Sequence, residues 1–172
     1  TQIELFKHIS QQRLIIEELA THQLSLLKTK RARKRRTTNQ FAIKNNLSNN
    51  FLNSLEFNLT AAQSRCIKEI HADLSNTEPM LRLLQGDVGS GKTIVAIFTL
   101  IQAVENNFQT AVMAPTEILA RQHLQNFTDY LKPLTIQIAY LVGSQNTQER
   151  REQLELIETG KAKVIIGTHA LF

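Results

Sequence analysis

Residues Gly86-Asp87-Val88-Gly89-Ser90-Gly91-Lys92-Thr93 lie between two apolar runs, Met80-Leu81-Arg82-Leu83-Leu84 and Ile94-Val95-Ala96-Ile97-Phe98. The spacing is G-x-x-x-x-G-K-T, and a strand before it with a helix after it is the context in which such a match reads as a phosphate-binding loop. Gly86, Gly89 and Gly91 let the backbone wrap tightly, so that successive amide hydrogens converge where a Cβ would intrude. Lys92 is placed to meet the β- and γ-phosphates of a nucleotide, and the Thr93 hydroxyl to hold Mg²⁺. A helix starting near Lys92 turns its partial positive end on the same anion. The cofactors expected from this stretch are a nucleotide and Mg²⁺, with Asp87, Val88 and Ser90 completing the loop.

The rest of the chain must supply a sheet for this loop to sit on. Thr110-Ala111-Val112-Met113-Ala114 reads as a buried strand closed by Pro115, and Thr116 as the cap of a helix with Leu119, Leu124, Phe127 and Leu131 on one face. Ile136 to Val142 is a further strand ending at Gly143-Ser144, after which Thr147 caps a helix that stops at Gly160. Lys163-Val164-Ile165-Ile166-Gly167 is the last strand. Strands alternating with helices predict an α/β fold with a parallel, doubly wound sheet, whose ligands gather at the carboxyl ends of the strands. Four loops are thereby assigned to one sheet edge: 86–93, 114–117, 143–144 and 167–169.

Upstream of the glycine loop, Thr60-Ala61-Ala62-Gln63 has the form of a capping box opening a helix to about Leu74. Gln63 therefore carries two readings, closing that first turn or reading an adenine edge beside Phe57. From Ile3 to Leu27 apolar residues recur at helical spacing (Phe6, Ile9, Ile16, Leu19, Leu24, Leu27), predicting a rod of roughly 37 Å that packs across another domain's surface. It runs into Lys28, Lys30, Arg31, Arg33, Lys34, Arg35 and Arg36, seven positive charges in nine residues. Each, if it met a phosphate, would steepen the salt dependence of DNA binding, to a logarithmic slope of about −6 in all. A solvated basic linker accounts for the run equally well. Residues 37–58 are rich in Asn and Ser and read as a loop with one short helix, so the division is set at 1–56 and 57–172.

Charge is uneven. Residues 1–53 hold ten Lys or Arg against three acidic residues, whereas 54–172 hold ten against twelve. No apolar run approaches the roughly 20 residues of a membrane span, and no secretory signal is present. The lone cysteine, Cys66, excludes an internal disulfide and fits a cytoplasmic protein. His8, His22, His71, His123 and His169 are dispersed, which speaks against a metal cluster. Thr1 and Phe172 both read as cuts in a longer chain.

Leu84-Gln85-Gly86 through Thr93, Met113-Ala114-Pro115-Thr116-Glu117-Ile118-Leu119-Ala120-Arg121-Gln122-His123 and Ile166-Gly167-Thr168-His169-Ala170-Leu171 together resemble the first motifs of superfamily-two helicases. Phe57-Asn58-Leu59-Thr60-Ala61-Ala62-Gln63 is similar to the stretch that opens their motor domain. The resemblance implies an incomplete RecA-like P-loop domain, preceded by a long α-helix and basic linker. It also implies a monomeric ATP-driven translocase on branched double-stranded DNA, acting at stalled forks and Holliday junctions in recombination and repair.

In that scheme Gln63 matches the adenine-side motif, while Pro115, Thr116, Gly143, Ser144, Gly167, Thr168 and His169 match motifs that touch the nucleic-acid backbone. Lys34, Arg35 and Arg36 are the basic-run candidates. For Gly143-Ser144 and His169 an ordinary strand-end turn explains the residues as well. Hydrolysis also needs an apolar strand ending in Asp-Glu and a transferring-phosphate arginine. No apolar–Asp–Glu run occurs in these 172 residues, so nucleotide binding without turnover is expected of this chain. A transcription-repair coupling translocase shares much of the same motor. A basic DNA-binding module without ATP chemistry is the alternative of a different class.

Overall fold

A computed structural model describes residues 8–34 and 36–172. The helices are α1 (Ile9–Lys34), α2 (Asn46–Ser54), α3 (Ala61–Leu74), α4 (Lys92–Glu105), α5 (Glu117–Leu131) and α6 (Thr147–Glu158), and the strands are β1 (Thr110–Met113), β2 (Ile138–Leu141) and β3 (Val164–Gly167).

The three strands form one parallel sheet in the order β1-β3-β2. β3 is buried along its whole length because it lies in the middle and is covered on both faces, as its unbroken Val-Ile-Ile sequence requires. On one face Val164 and Ile166 pack into a cluster with Ile97, Phe98 and Ile101 of α4, Phe127 and Leu131 of α5, and Phe51 of α2. On the other, Ile165, Ala139 and Leu141 meet Leu154 and Ile157 of α6. The sheet is doubly wound, as the alternating pattern predicts.

β2 is an outer strand, and its free backbone is covered by side chains. Gln145 donates Nε2 to the Tyr140 carbonyl (3.0 Å) and accepts from the Val142 amide (3.0 Å), while Gln153 accepts from the Tyr140 amide (2.9 Å). An edge so occupied offers fewer free groups to a stray strand.

Three expectations change. Residues 80–84 join no strand among the described residues: a strand needs a neighbour's ladder, and β1 pairs only with β3. Leu81 and Leu83 are accordingly 73% and 82% exposed. The segment is held by Arg82, which pairs with Glu69 (2.7 Å) and Asp73 of α3. The second change is the cap of α6, which is Asn146 and not Thr147. Its side chain accepts from the Glu149 amide (2.8 Å), and Glu149 accepts in return from the Asn146 amide, completing a capping box.

Third, the basic run is not a linker between elements: α1 continues through it to Lys34, because Lys, Arg and Ala are good helix formers. Ile3 and Phe6 lie outside the described residues. From Ile9 onward the apolar side chains of α1, among them Leu14, Ile16, Leu19, Leu24 and Leu27, are exposed.

The Asn-rich segment holds the one short helix expected, α2, and is docked on α4. Gln102 of α4, fully buried, donates Nε2 to the Lys44 carbonyl (2.5 Å) and the Ser48 hydroxyl (2.9 Å), and accepts from the Lys44 amide (3.3 Å). Asn106 holds both backbone groups of Ala42, and Glu105 accepts from the Leu47 amide (2.6 Å). Phe51 is fully buried against Phe98, and Phe41 stacks on Phe108. No described helix is long and apolar enough to cross a membrane.

Candidate functional site

The glycine loop is built by the elements on either side of it. Gly91 is the residue before α4, with φ +77°, a conformation that a side-chain-bearing residue adopts only under strain. A Cβ there would also strike Gln63 Nε2, and one on Gly86 would come within 2.7 Å of Ser90 Oγ. Gly89 has φ +82° with open space around it. Asp87, Val88 and Ser90 are exposed on the loop, and the Ser90 amide closes a turn onto the Asp87 carbonyl (3.2 Å).

Lys92, the first residue of α4, folds back so that Nζ donates to the carbonyls of Gly86 and Asp87, both at 2.7 Å. Its cation is thus centred in the mouth of the loop. Thr93 follows on the first turn, half-buried.

In this structure Gln63 takes the capping role, and both ends of its side chain are engaged. Oε1 accepts from the Thr60 amide (2.9 Å), completing the capping box with the Gln63 amide on Thr60 Oγ1 (3.2 Å), while Nε2 donates to the Ser90 carbonyl (3.1 Å). The cap of α3 and the phosphate loop are therefore joined by one side chain. The sequence contains the cap but gives no sign of the contact with Ser90, which spans 27 residues.

The sheet register brings three of the other predicted loops to one edge, since Met113, Gly167 and Leu141 stand side by side at the ends of β1, β3 and β2. Thr116, after Pro115, caps α5 by accepting from the Leu119 amide (3.3 Å). Gly167 must be glycine, because a Cβ would collide with the Leu141 carbonyl. The Thr168 amide donates to that carbonyl (3.2 Å), and His169 opens a short 3₁₀ turn.

Gly143 and Ser144 are held by a residue that the motif reading passed over. Glu117, the first residue of α5, accepts from both the Ser144 amide (3.0 Å) and the Ser144 hydroxyl (2.5 Å). The Ser144 hydroxyl, then the Ser144 amide, draw the Glu117 carboxyl below the ordinary glutamate range. Its signal in the sequence is an acidic residue in the first turn after a threonine cap, a place where the helix dipole favours it.

Of the basic candidates, Arg36 is exposed, Lys34 ends α1, and Arg35 lies outside the described residues. Among the described residues no group of three or more His, Cys, Asp or Glu side chains could hold a metal ion.

A family model described as DEAD/DEAH box helicase matches residues 60–172, from the cap of α3 through β3 to Phe172. The chain belongs to the DEAD/DEAH box helicases. Helicases of this family use ATP. Among curated proteins it is 44% identical to the ATP-dependent DNA helicase RecG of Haemophilus influenzae over 99% of this chain and 24% of that protein. It is 42% identical to RecG of Escherichia coli K12 over 100% and 25%, and 43% identical to RecG of Aquifex aeolicus over 96% and 21%. A solved structure of RecG bound to a three-way DNA junction superposes with a TM-score of 0.86 at 39% identity, covering 96% of this chain and 23% of that one. The helicase chain thus spans about a quarter of the length of the relatives it matches.

Proposed function

We propose that this helicase chain forms the nucleotide-binding part of an ATP-driven motor that remodels branched double-stranded DNA, in the manner of RecG. The single observation that carries the reading is the phosphate loop itself: Lys92 at its mouth, glycines at 86, 89 and 91 where a side chain would clash or strain the backbone, and Gln63 linking it to α3. The RecG likeness, extending over 99% of the chain, supplies the substrate class.

In this reading the amides of 86–91 cradle the polyphosphate of ATP, and Lys92 exchanges its two carbonyl partners for β- and γ-phosphate oxygens. Thr93 holds Mg²⁺, and Gln63 turns toward adenine. Pro115-Thr116, Gly143-Ser144 and Gly167-Thr168-His169 form the DNA-facing edge, where short side chains let phosphates approach. Lys34, Arg35 and Arg36 add sequence-independent attraction. The motor domain begins near residue 57, with 1–56 as the helical arm and its docked strap. The protein works as a cytoplasmic monomer in recombination and repair.

The test is remodelling of a synthetic three-way junction by the full protein with ATP and Mg²⁺. Loss of both ATP turnover and junction remodelling on Lys92→Ala is expected. Remodelling that persists without ATP or in that variant would contradict the reading.

A further inference from the structure

We propose that Glu117 is a positioning residue: it locks the β2–α6 loop to the start of α5 and so fixes the spacing between two DNA-contacting loops. The proposal rests on the reading of this sheet edge as the DNA-facing side.

The geometry carries it. Glu117 lies directly after the Thr116 cap, and its carboxylate takes both hydrogen-bond donors of Ser144, 27 residues away in sequence. Its Oε1 stands 3.6 Å from where a Gly143 Cβ would be, an ordinary contact distance, so the carboxylate lies against the Gly143–Ser144 turn itself. A second tie runs parallel, from the Tyr140 hydroxyl to the Glu117 carbonyl (3.5 Å). Because Ser144 gives its amide and hydroxyl to Glu117, those groups are not free for a phosphate while the bridge stands. What Ser144 supplies is the anchor, and the loop around it is held at a set distance from the α5 N-terminus. Backbone phosphates recur at a fixed interval along a strand, so two contacts must be correctly spaced to be made together.

The sign of the expected effect separates positioning from simple charge. A carboxylate near DNA repels it, so deleting Glu117 for its charge alone would tighten binding. Positioning predicts the reverse. In the full protein, fluorescence anisotropy with a labelled three-way junction is expected to show Glu117→Ala binding about tenfold more weakly, the scale of one lost charge-assisted hydrogen bond. The salt slope should become shallower by about 0.9, one phosphate contact. Glu117→Gln should bind like the wild type or better, because its carboxamide can accept from the Ser144 amide and donate to the Ser144 oxygen. Ser144→Ala should weaken binding, and combined with Glu117→Ala it should add little, as for two halves of one contact.

Tighter binding by both Glu117→Ala and Glu117→Gln, with an unchanged slope, would overturn the proposal. Ile118→Glu, at an exposed neighbouring position, tests the underlying reading separately. Weaker binding there supports a DNA-facing edge, and unchanged binding overturns that reading whatever Glu117 does.

Discussion

The two segments that precede α3 reverse what their compositions promise. α1 is rich in Leu and Ile, yet its side chains are exposed, Leu19 at 60% and Leu24 at 65%. The segment from Phe41 to Leu55 is rich in Asn and Ser, yet it delivers the fully buried Phe51 to the main core. The difference is the partner. Gln102 and Glu105 near the end of α4, with Asn106 just after it, bind the backbone of Ala42, Lys44 and Leu47 and leave Phe51 to pack on Phe98. Apolar content alone buries nothing without a matching surface, and a polar segment buries well when its backbone groups are satisfied.

The sharpest break of this comparison is a pair of truncations read by urea denaturation. Phe51→Ala should cost about 3–5 kcal/mol, the range for emptying a packed aromatic site. Leu19→Ala should stay within about 0.5 kcal/mol, as surface changes do. Equal losses would show that α1 is packed in solution.

Gln102→Leu probes the polar half of the same docking. It leaves the Lys44 amide and carbonyl without their side-chain partner, and a loss of about 1–3 kcal/mol is expected. No loss would mean that Phe51 alone holds the segment.

The smallest effect on stability is expected from α1's charges. Changing Lys28, Lys30 and Arg31 to Gln should leave the melting temperature unmoved. The slope of log affinity for duplex DNA against log salt should become shallower by about 0.9 for each side chain that meets a phosphate. An unchanged slope would return the run to a solvated helix face.

The sequence told most about elements defined by local chemistry. The capping box at Thr60-Gln63, the Thr116 cap and the buried strand β3 all follow from residues within a few positions of one another. It told least where long-range contacts decide. Residues 80–84 form an apolar run of the kind a buried strand has, but no strand lies beside them among the described residues, and a local pattern cannot state whether a neighbour exists. The Gln63–Ser90 and Glu117–Ser144 contacts join residues that are 27 positions apart, and each depends on how two elements dock. At the α6 cap the error was local: Asn146 competes with Thr147 for one position, and the reciprocal Glu149 bond decides for Asn146.

The central claim is that the loop held by Lys92 and Gln63 is a nucleotide site. It is tested most directly by calorimetric titration of this chain with ATP and Mg²⁺, beside its Lys92→Ala variant. The account predicts saturable one-to-one binding that weakens at least about tenfold in the variant, the scale of a lost hydrogen bond to a charged group. Equal affinity of the two chains, or no binding by either, would contradict it.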